Sequence, residues 1–273
     1  MHRYRMITHR CGAVVEITKC YAFRMRKGHE RDPNYKKKTE EEIREANRRQ
    51  AAKKLERLIN ANFRPGDLHV ILTYIKDKRP DAGEAQKRLE SFLDSMRTWY
   101  RKRGKALKYI CATEYKSKSI HHHLIINKIN DGKETSEDHI RKIWKTNGHP
   151  KYVQLYEDAE YAQLADYLIK ETDKTFRDPD SPVKQRYSRS RNLVQPKVTR
   201  RDVKTKRGWE KDPKPWRGYY IKKDSLYNGF DKLGYEYQTY TMVKLNPTDA
   251  DWPSDDLQPV KRKRRKHSVS RKC

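Results

Sequence analysis

Residues 120–127 read Ile120-His121-His122-His123-Leu124-Ile125-Ile126-Asn127, a histidine run leading directly into an aliphatic run. The pattern predicts a strand, and strand side chains alternate between faces. His121 and His123 therefore point one way and His122 the other. Two imidazoles one pleat apart on a rigid strand can clasp a single metal ion. The plain alternative is three polar neighbours at a sheet end, and the flanking segments decide against it.

Upstream, Leu107-Lys108-Tyr109-Ile110-Cys111-Ala112-Thr113-Glu114 predicts a second strand, joined to the first by a short Lys, Ser and Tyr loop, hence an antiparallel hairpin. Further out, His69-Val70-Ile71-Leu72-Thr73-Tyr74 reads as a buried strand after the turn Arg64-Pro65-Gly66-Asp67. Residues 81–102 form a helix with Leu89, Phe92, Leu93, Met96 and Trp99 spaced by three or four. A helix over 136–145, a short strand over 152–155 and a helix from about Asp158 to Thr172 follow. Strand, helix, strand, strand, helix, strand, helix describes an α+β class, a central antiparallel sheet with helices packed on it.

The flanks differ in character. Residues 1–65 predict a strand over 13–24, part of a hairpin beginning near Met6. A long, mostly charged helix over 39–63 follows, capped by Thr39 and Glu42, with one thin apolar stripe on an otherwise exposed surface. Residues 66–175 form the core. Residues 176–273 form a basic extension: a loop at 178–182, an Arg, Lys and Pro-rich stretch, a strand over 235–245, and a tail disordered from about 258 with the block Lys261-Arg262-Lys263-Arg264-Arg265-Lys266-His267.

Lys and Arg number 65 against 37 Asp and Glu, a formal charge of +28 over 273 residues. That excess asks for a polyanion, DNA or RNA. The 18 tyrosines suit a wet interface where rings stack on bases. No segment is long or apolar enough to span a bilayer, and the N-terminus lacks the apolar stretch of a secretory signal, so a cytoplasmic protein without a membrane partner is expected. Cys11, Cys20, Cys111 and Cys273 form no Cys-x-x-Cys pair. Cys11 and Cys20 can face each other across a hairpin, but reduced thiols are expected.

Glu114 ends the strand beside the histidines. Closing the hairpin brings its carboxylate to His121 and His123, a mixed N/O site suited to Mn2+ or Mg2+ in phosphoryl chemistry, with borderline Zn2+ binding. In Asp166-Tyr167-Leu168-Ile169-Lys170-Glu171, Tyr167 and Lys170 stand at i and i+3 on one helix face. A nearby ammonium can favour the phenolate or stabilise charge on a phosphate under attack. Taken alone, Tyr-x-x-Lys is equally an amphipathic helix with a core tyrosine.

Together these motifs resemble the His-hydrophobic-His (HUH) endonuclease superfamily, specifically its rolling-circle replication initiators. The strand from His69, Glu114 with His121-His122-His123-Leu124, and Tyr167-Leu168-Ile169-Lys170 are similar to the family's three motifs, in the family's order. Arg186-Tyr187-Ser188-Arg189-Ser190-Arg191-Asn192-Leu193 with Pro196 is similar to a basic stretch found after the third motif in initiators of small single-stranded DNA phages and related elements. The likeness spans about residues 66–196. Its departure is His122, where the family usually has an apolar residue; His122 is either a core histidine or an alternate ligand.

The resemblance implies a ferredoxin/RRM-like core and a single-strand nickase. A divalent ion on His121, His123 and Glu114 polarises the scissile phosphate. Tyr167, with Lys170 beside it, attacks to give a 5′-phosphotyrosine and a free 3′-hydroxyl. The partners implied are single-stranded DNA at a replication origin and a host polymerase and helicase. Tyr161, six residues before Tyr167, falls on a different helix face and is expected to be structural; Tyr156 is a weaker candidate. Arg186, Arg189, Arg191 and Lys197 are expected to contact phosphates. The alternatives are a single-strand transposase or relaxase with the same site, and a non-catalytic nucleic-acid binder.

Overall fold

The computed structural model describes residues 2–30, 32, 36, 39–115, 119–156, 161–177, 185–231 and 233–257. In chain order its elements are β1 (His2–Cys11), β2 (Val14–Cys20), α1 (Glu40–Asn62), β3 (Leu68–Leu72), α2 (Ala82–Lys102), β4 (Tyr109–Glu114), β5 (His121–Ile126), α3 (Ser136–Trp144), β6 (Lys151–Gln154), α4 (Ala162–Glu171), α5 (Asp173–Arg177), β7 (Ser188–Arg189), β8 (Lys197–Thr205), β9 (Tyr219–Ile221), β10 (Tyr227–Phe230) and β11 (Glu236–Lys244). The chain is an α+β protein with two antiparallel sheets. The loop predicted at 178–182, the helix start near 158 and the block from Lys261 lie outside the described residues.

The core sheet runs β6-β3-β5-β4-β7. Alternation along its strands decides which helix covers which face. Leu68, Val70 and Leu72 of β3, Tyr109 and Cys111 of β4, and Leu124 and Ile126 of β5 pack against α2 and α3 through Leu89, Met96, Tyr100 and Trp144. The intervening residues Ile110, Ala112 and Ile125 face the other way, onto α1 and α4. His69, Glu114, His121 and His123 share the parity of this second set. The sheet therefore delivers them to the side where α4 lies.

Thr39 and Glu42 form the expected reciprocal cap of α1. The prediction of an exposed helix with a thin stripe fails over its C-terminal half. Ala52, Leu55, Leu58 and Ile59 are buried, and so are Glu56, Asn60 and Asn62. That half lies between the core sheet and a second sheet, so even its polar side chains are enclosed and bonded. Asn62 donates to Leu58 O and Val194 O, both at 2.9 Å. Arg57 pairs with Glu16 of β2, and Lys53 stands 3.0 Å from the same carboxylate.

The second sheet runs β10-β11-β2-β1-β8, with β9 on β11. Its strands come from both ends of the chain: β1 pairs with β2 and, over nine residue pairs from His2↔Thr205 to Arg10↔Lys197, with β8. The basic stretch after the core thus supplies a sheet strand. Cys11 opposes Val14 and Cys20 opposes Arg5, so these two thiols do not face each other; with Cys111 they are free. Gly12 turns the β1–β2 hairpin at φ +59°, and a Cβ there would meet Asn60 O and Trp252 Nε1 at 2.4 Å. That contact is where the C-terminal segment crosses back, Trp252 donating to Asn60 O at 2.9 Å. Among the described residues no helix is long and apolar enough to cross a membrane.

Candidate metal and tyrosine site

The β4–β5 register sets Glu114 opposite His121 and Ala112 opposite His123. Glu114 Oε2 lies 3.0 Å from His121 Nε2. Glu114, His121 and His123 each offer one ligand atom, all within 4.8 Å of one another. His121 Nδ1 lies 3.1 Å from Ser119 O, and a carbonyl only accepts, so Nδ1 carries the proton. In neutral His121, Nε2 is then a bare lone pair facing a carboxylate oxygen. Two acceptors at this distance are stable only with a positive charge between or on them, a proton or a metal ion.

His123 supplies a second sign. It is 1% exposed, and its Nε2 has no hydrogen-bond partner among the described residues. Buried polar atoms are rarely left so, because each costs about 1–3 kcal/mol. Its other nitrogen, Nδ1, lies 3.2 Å from His69 Nε2. With the proton on Nδ1, His123 donates to His69 and keeps the Nε2 lone pair for a cation. Burial is the main cause that lowers the His123 pKa to about 3, with His69 and His121 adding to it, so the ring stays neutral and ligand-competent. The donor set fits a hard or borderline divalent ion. An octahedral ion with bonds of about 2.1 Å holds neighbouring donors about 3 Å apart.

His122 sits on the opposite face, fully buried among α2 and α3 side chains. Tyr74 Oη and Thr113 Oγ1 each lie 2.8 Å from its two nitrogens. It is a satisfied core histidine, and burial lowers its pKa to about 3.

Tyr167 projects from α4 onto the histidine pair. Its ring stands edge-on to His123 with centroids 5.3 Å apart, and 6.5 Å from His69. It is 40% exposed, whereas Tyr161 at the start of the same helix is fully buried. Burial first, then the Glu171 and Glu114 carboxylates, raise the Tyr167 hydroxyl pKa. Lys170 is exposed and lines a groove of about 1570 Å3 between α1 and α4 with Asp166 and Asp173; Tyr167 and the histidines do not line that groove.

Of the expected phosphate contacts, Arg189, Arg191 and Lys197 are exposed. Arg186 is not: its side chain is 13% exposed, Nη1 lies 2.6 Å from Asp173 Oδ1, and the guanidinium covers Phe176 at 4.2 Å. It ties the post-helix segment to α5. His69 is the residue that sequence reasoning missed. Its place in an apolar strand was legible, but its partner lies 54 residues on.

No curated protein and no solved structure matches the chain. The cation-competent cluster and the tyrosine helix both lie in the segment that a family model does match, and that match supports a replication-initiator role with DNA as partner. Residues 67–176 match the Replication-associated protein ORF2 family, a rolling-circle replication initiator family of the HUH type.

Proposed function

We propose that this protein initiates replication by nicking one DNA strand at an origin through metal-assisted tyrosine transesterification, and rejoins the strand at termination. The observation that carries this reading is Tyr167 edge-on to His123 at 5.3 Å, beside the Glu114–His121 pair. Residues 66–175 act as the catalytic core and the flanks handle DNA. His121, His123 and Glu114 hold Mn2+ or Mg2+, which supplies Lewis-acid charge stabilisation at the scissile phosphate. Attack forms the Tyr167 Oη–phosphorus bond and breaks the bond from phosphorus to the 3′ oxygen. The phenol gives up a proton and the departing oxygen takes one up. One phosphodiester bond replaces another, so the step reverses for religation.

The partly buried ring is held by α4 close to the ligand cluster, which limits the orientational freedom lost on attack. Glu114 raises the phenol pKa, and a cation on that carboxylate offsets its charge. Lys170, across α4, screens the phosphate charge as substrate approaches. Arg189, Arg191 and Lys197 bind the backbone. The free 3′-hydroxyl primes a host polymerase, and a host helicase separates the strands.

The test is incubation of the full chain with a library of single-stranded oligonucleotides and Mn2+, followed by sequencing of any tyrosine-linked product. Tyr167→Phe abolishes the adduct and leaves binding in place; His121→Ala/His123→Ala removes metal-dependent nicking. An adduct at full yield in Tyr167→Phe, or nicking indifferent to chelator, overturns the reading.

A further inference from the structure

A groove of about 740 Å3 lies on the flank of the core, lined by Lys54, Arg57, Arg186, Arg189, Tyr187 and Phe176 among others, and among the described residues no carboxylate lines it. It is built almost wholly from outside the family-matched segment. Helix α1 supplies Lys54 and Arg57, the β1–β8 ribbon forms a wall through His9 and Val198, and the segment after α5 closes it. Lys54 and Arg189 are exposed. Arg57 and Arg186 are braced from behind by the carboxylates of Glu16 and Asp173, which fix their direction. Leu58, Pro196 and Val198 add apolar surface beside the two aromatic rings.

We propose that this groove is a second DNA subsite that holds a single strand a few nucleotides from the scissile phosphate. Phosphates lie on Lys54, Arg57 and Arg189, and a base lies against the Tyr187 side. A duplex turns its bases inward and offers mainly phosphates along its backbone, so the aromatic and apolar lining favours an unpaired strand. The sheet supplies the spacing. Arg189 pairs with Ile110 on β4, four residues before Glu114 on the same strand. At about 4.8 Å between strands and about 3.4 Å per residue, Arg189 stands roughly 14 Å from Glu114, a span of about four stacked nucleotides or fewer extended ones.

That the strand continues to a nick rests on the proposed nuclease reading, but the binding itself does not. The test is therefore equilibrium binding, by fluorescence anisotropy, of a labelled oligothymidylate to the full chain in EDTA, across a salt series. Lys54→Gln/Arg189→Gln weakens binding about tenfold at low salt and flattens the slope of log affinity against log salt by about 1.4, two contacts at about 0.7 each. Lys87→Gln/Lys102→Gln, an equal charge loss on α2, leaves both nearly unchanged. Unaltered thermal melts keep the comparison free of folding effects. Equal losses in the two pairs, or none in the groove pair, overturn the subsite. Preference of the groove for a duplex of the same length overturns the single-strand assignment. Absence of a Tyr167 adduct with groove binding intact overturns the nuclease reading alone.

Discussion

His69 Nε2 lies 3.2 Å from His123 Nδ1, on adjacent strands of the core sheet. The contact fixes which nitrogen of His123 faces Glu114 and His121. Metal-ligating histidines are commonly held this way by a partner on their second nitrogen, and loss of that partner typically lowers metal affinity 10–100-fold. His69→Ala is expected to weaken Mn2+ binding by about that factor in isothermal titration calorimetry. His69→Gln restores part of it, because its amide oxygen can accept from Nδ1–H. Unchanged affinity in His69→Ala would show that His123 is oriented by packing alone.

The middle histidine of the run behaves differently. His122 is bonded to Tyr74 and Thr113 on the face away from the cluster. His122→Ala leaves two buried hydroxyls short of a partner and opens a cavity, at a cost of about 1–3 kcal/mol for the unsatisfied groups alone. The expected result is a lower melting temperature with Mn2+ affinity near wild type. A metal-binding loss as deep as that of His121→Ala would return His122 to the ligand set.

Three buried imidazoles also make the fold acid-sensitive. Burial lowers His69 to about 4 and His122 and His123 to about 3. In the unfolded chain each titrates near 6.5. Above that value both states are neutral and the stability is fully present. As pH falls below it, the unfolded chain binds protons that the folded chain refuses, so stability is lost down to the folded values. Each such group weakens the fold by up to about 1.4 kcal/mol per pH unit in that window. Urea midpoints in EDTA should drop steadily from pH 7 to pH 5, and a flat profile would contradict neutral burial of these rings.

Much of the core was readable from the chain because its strands and helices carry strong periodic signals: the α2 stripe from Leu89 to Trp99, the Thr39–Glu42 cap, the hairpin that sets Glu114 opposite His121. The second sheet was not. Strand β8 is exposed at most positions, so its residues show no apolar alternation, and its partner β1 lies at the other end of the chain, Arg5 against Asp202. Arg186 could not be told from Arg189 in a basic stretch, since only the fold brings Asp173 to one of them. The burial of Glu56 and Asn60 was hidden for the same reason: polar letters on a helix read as solvent until a second layer covers them.

That layering ends in a buried ion pair. Lys108, 3% exposed, places Nζ 2.8 Å from Asp255 Oδ1 and donates to Pro253 O at 2.7 Å. Arg64 reaches Asp255 Oδ2 at 3.0 Å, and Ala106 N donates to Asp255 O at 2.7 Å. The segment around Asp255 thus latches the end of β4 that lies away from Glu114. Asp255→Asn leaves the Lys108 ammonium buried without its counter-charge, and breaking such a pair typically costs 3–5 kcal/mol. Lys108→Met removes the stranded charge, while Asp255 keeps Arg64. The double variant Lys108→Met/Asp255→Asn is therefore expected to be more stable than Asp255→Asn alone, measured as a double-mutant cycle in thermal denaturation. Additive losses would mean that the lysine is solvated in solution and the latch rests on Trp252 and the backbone bonds.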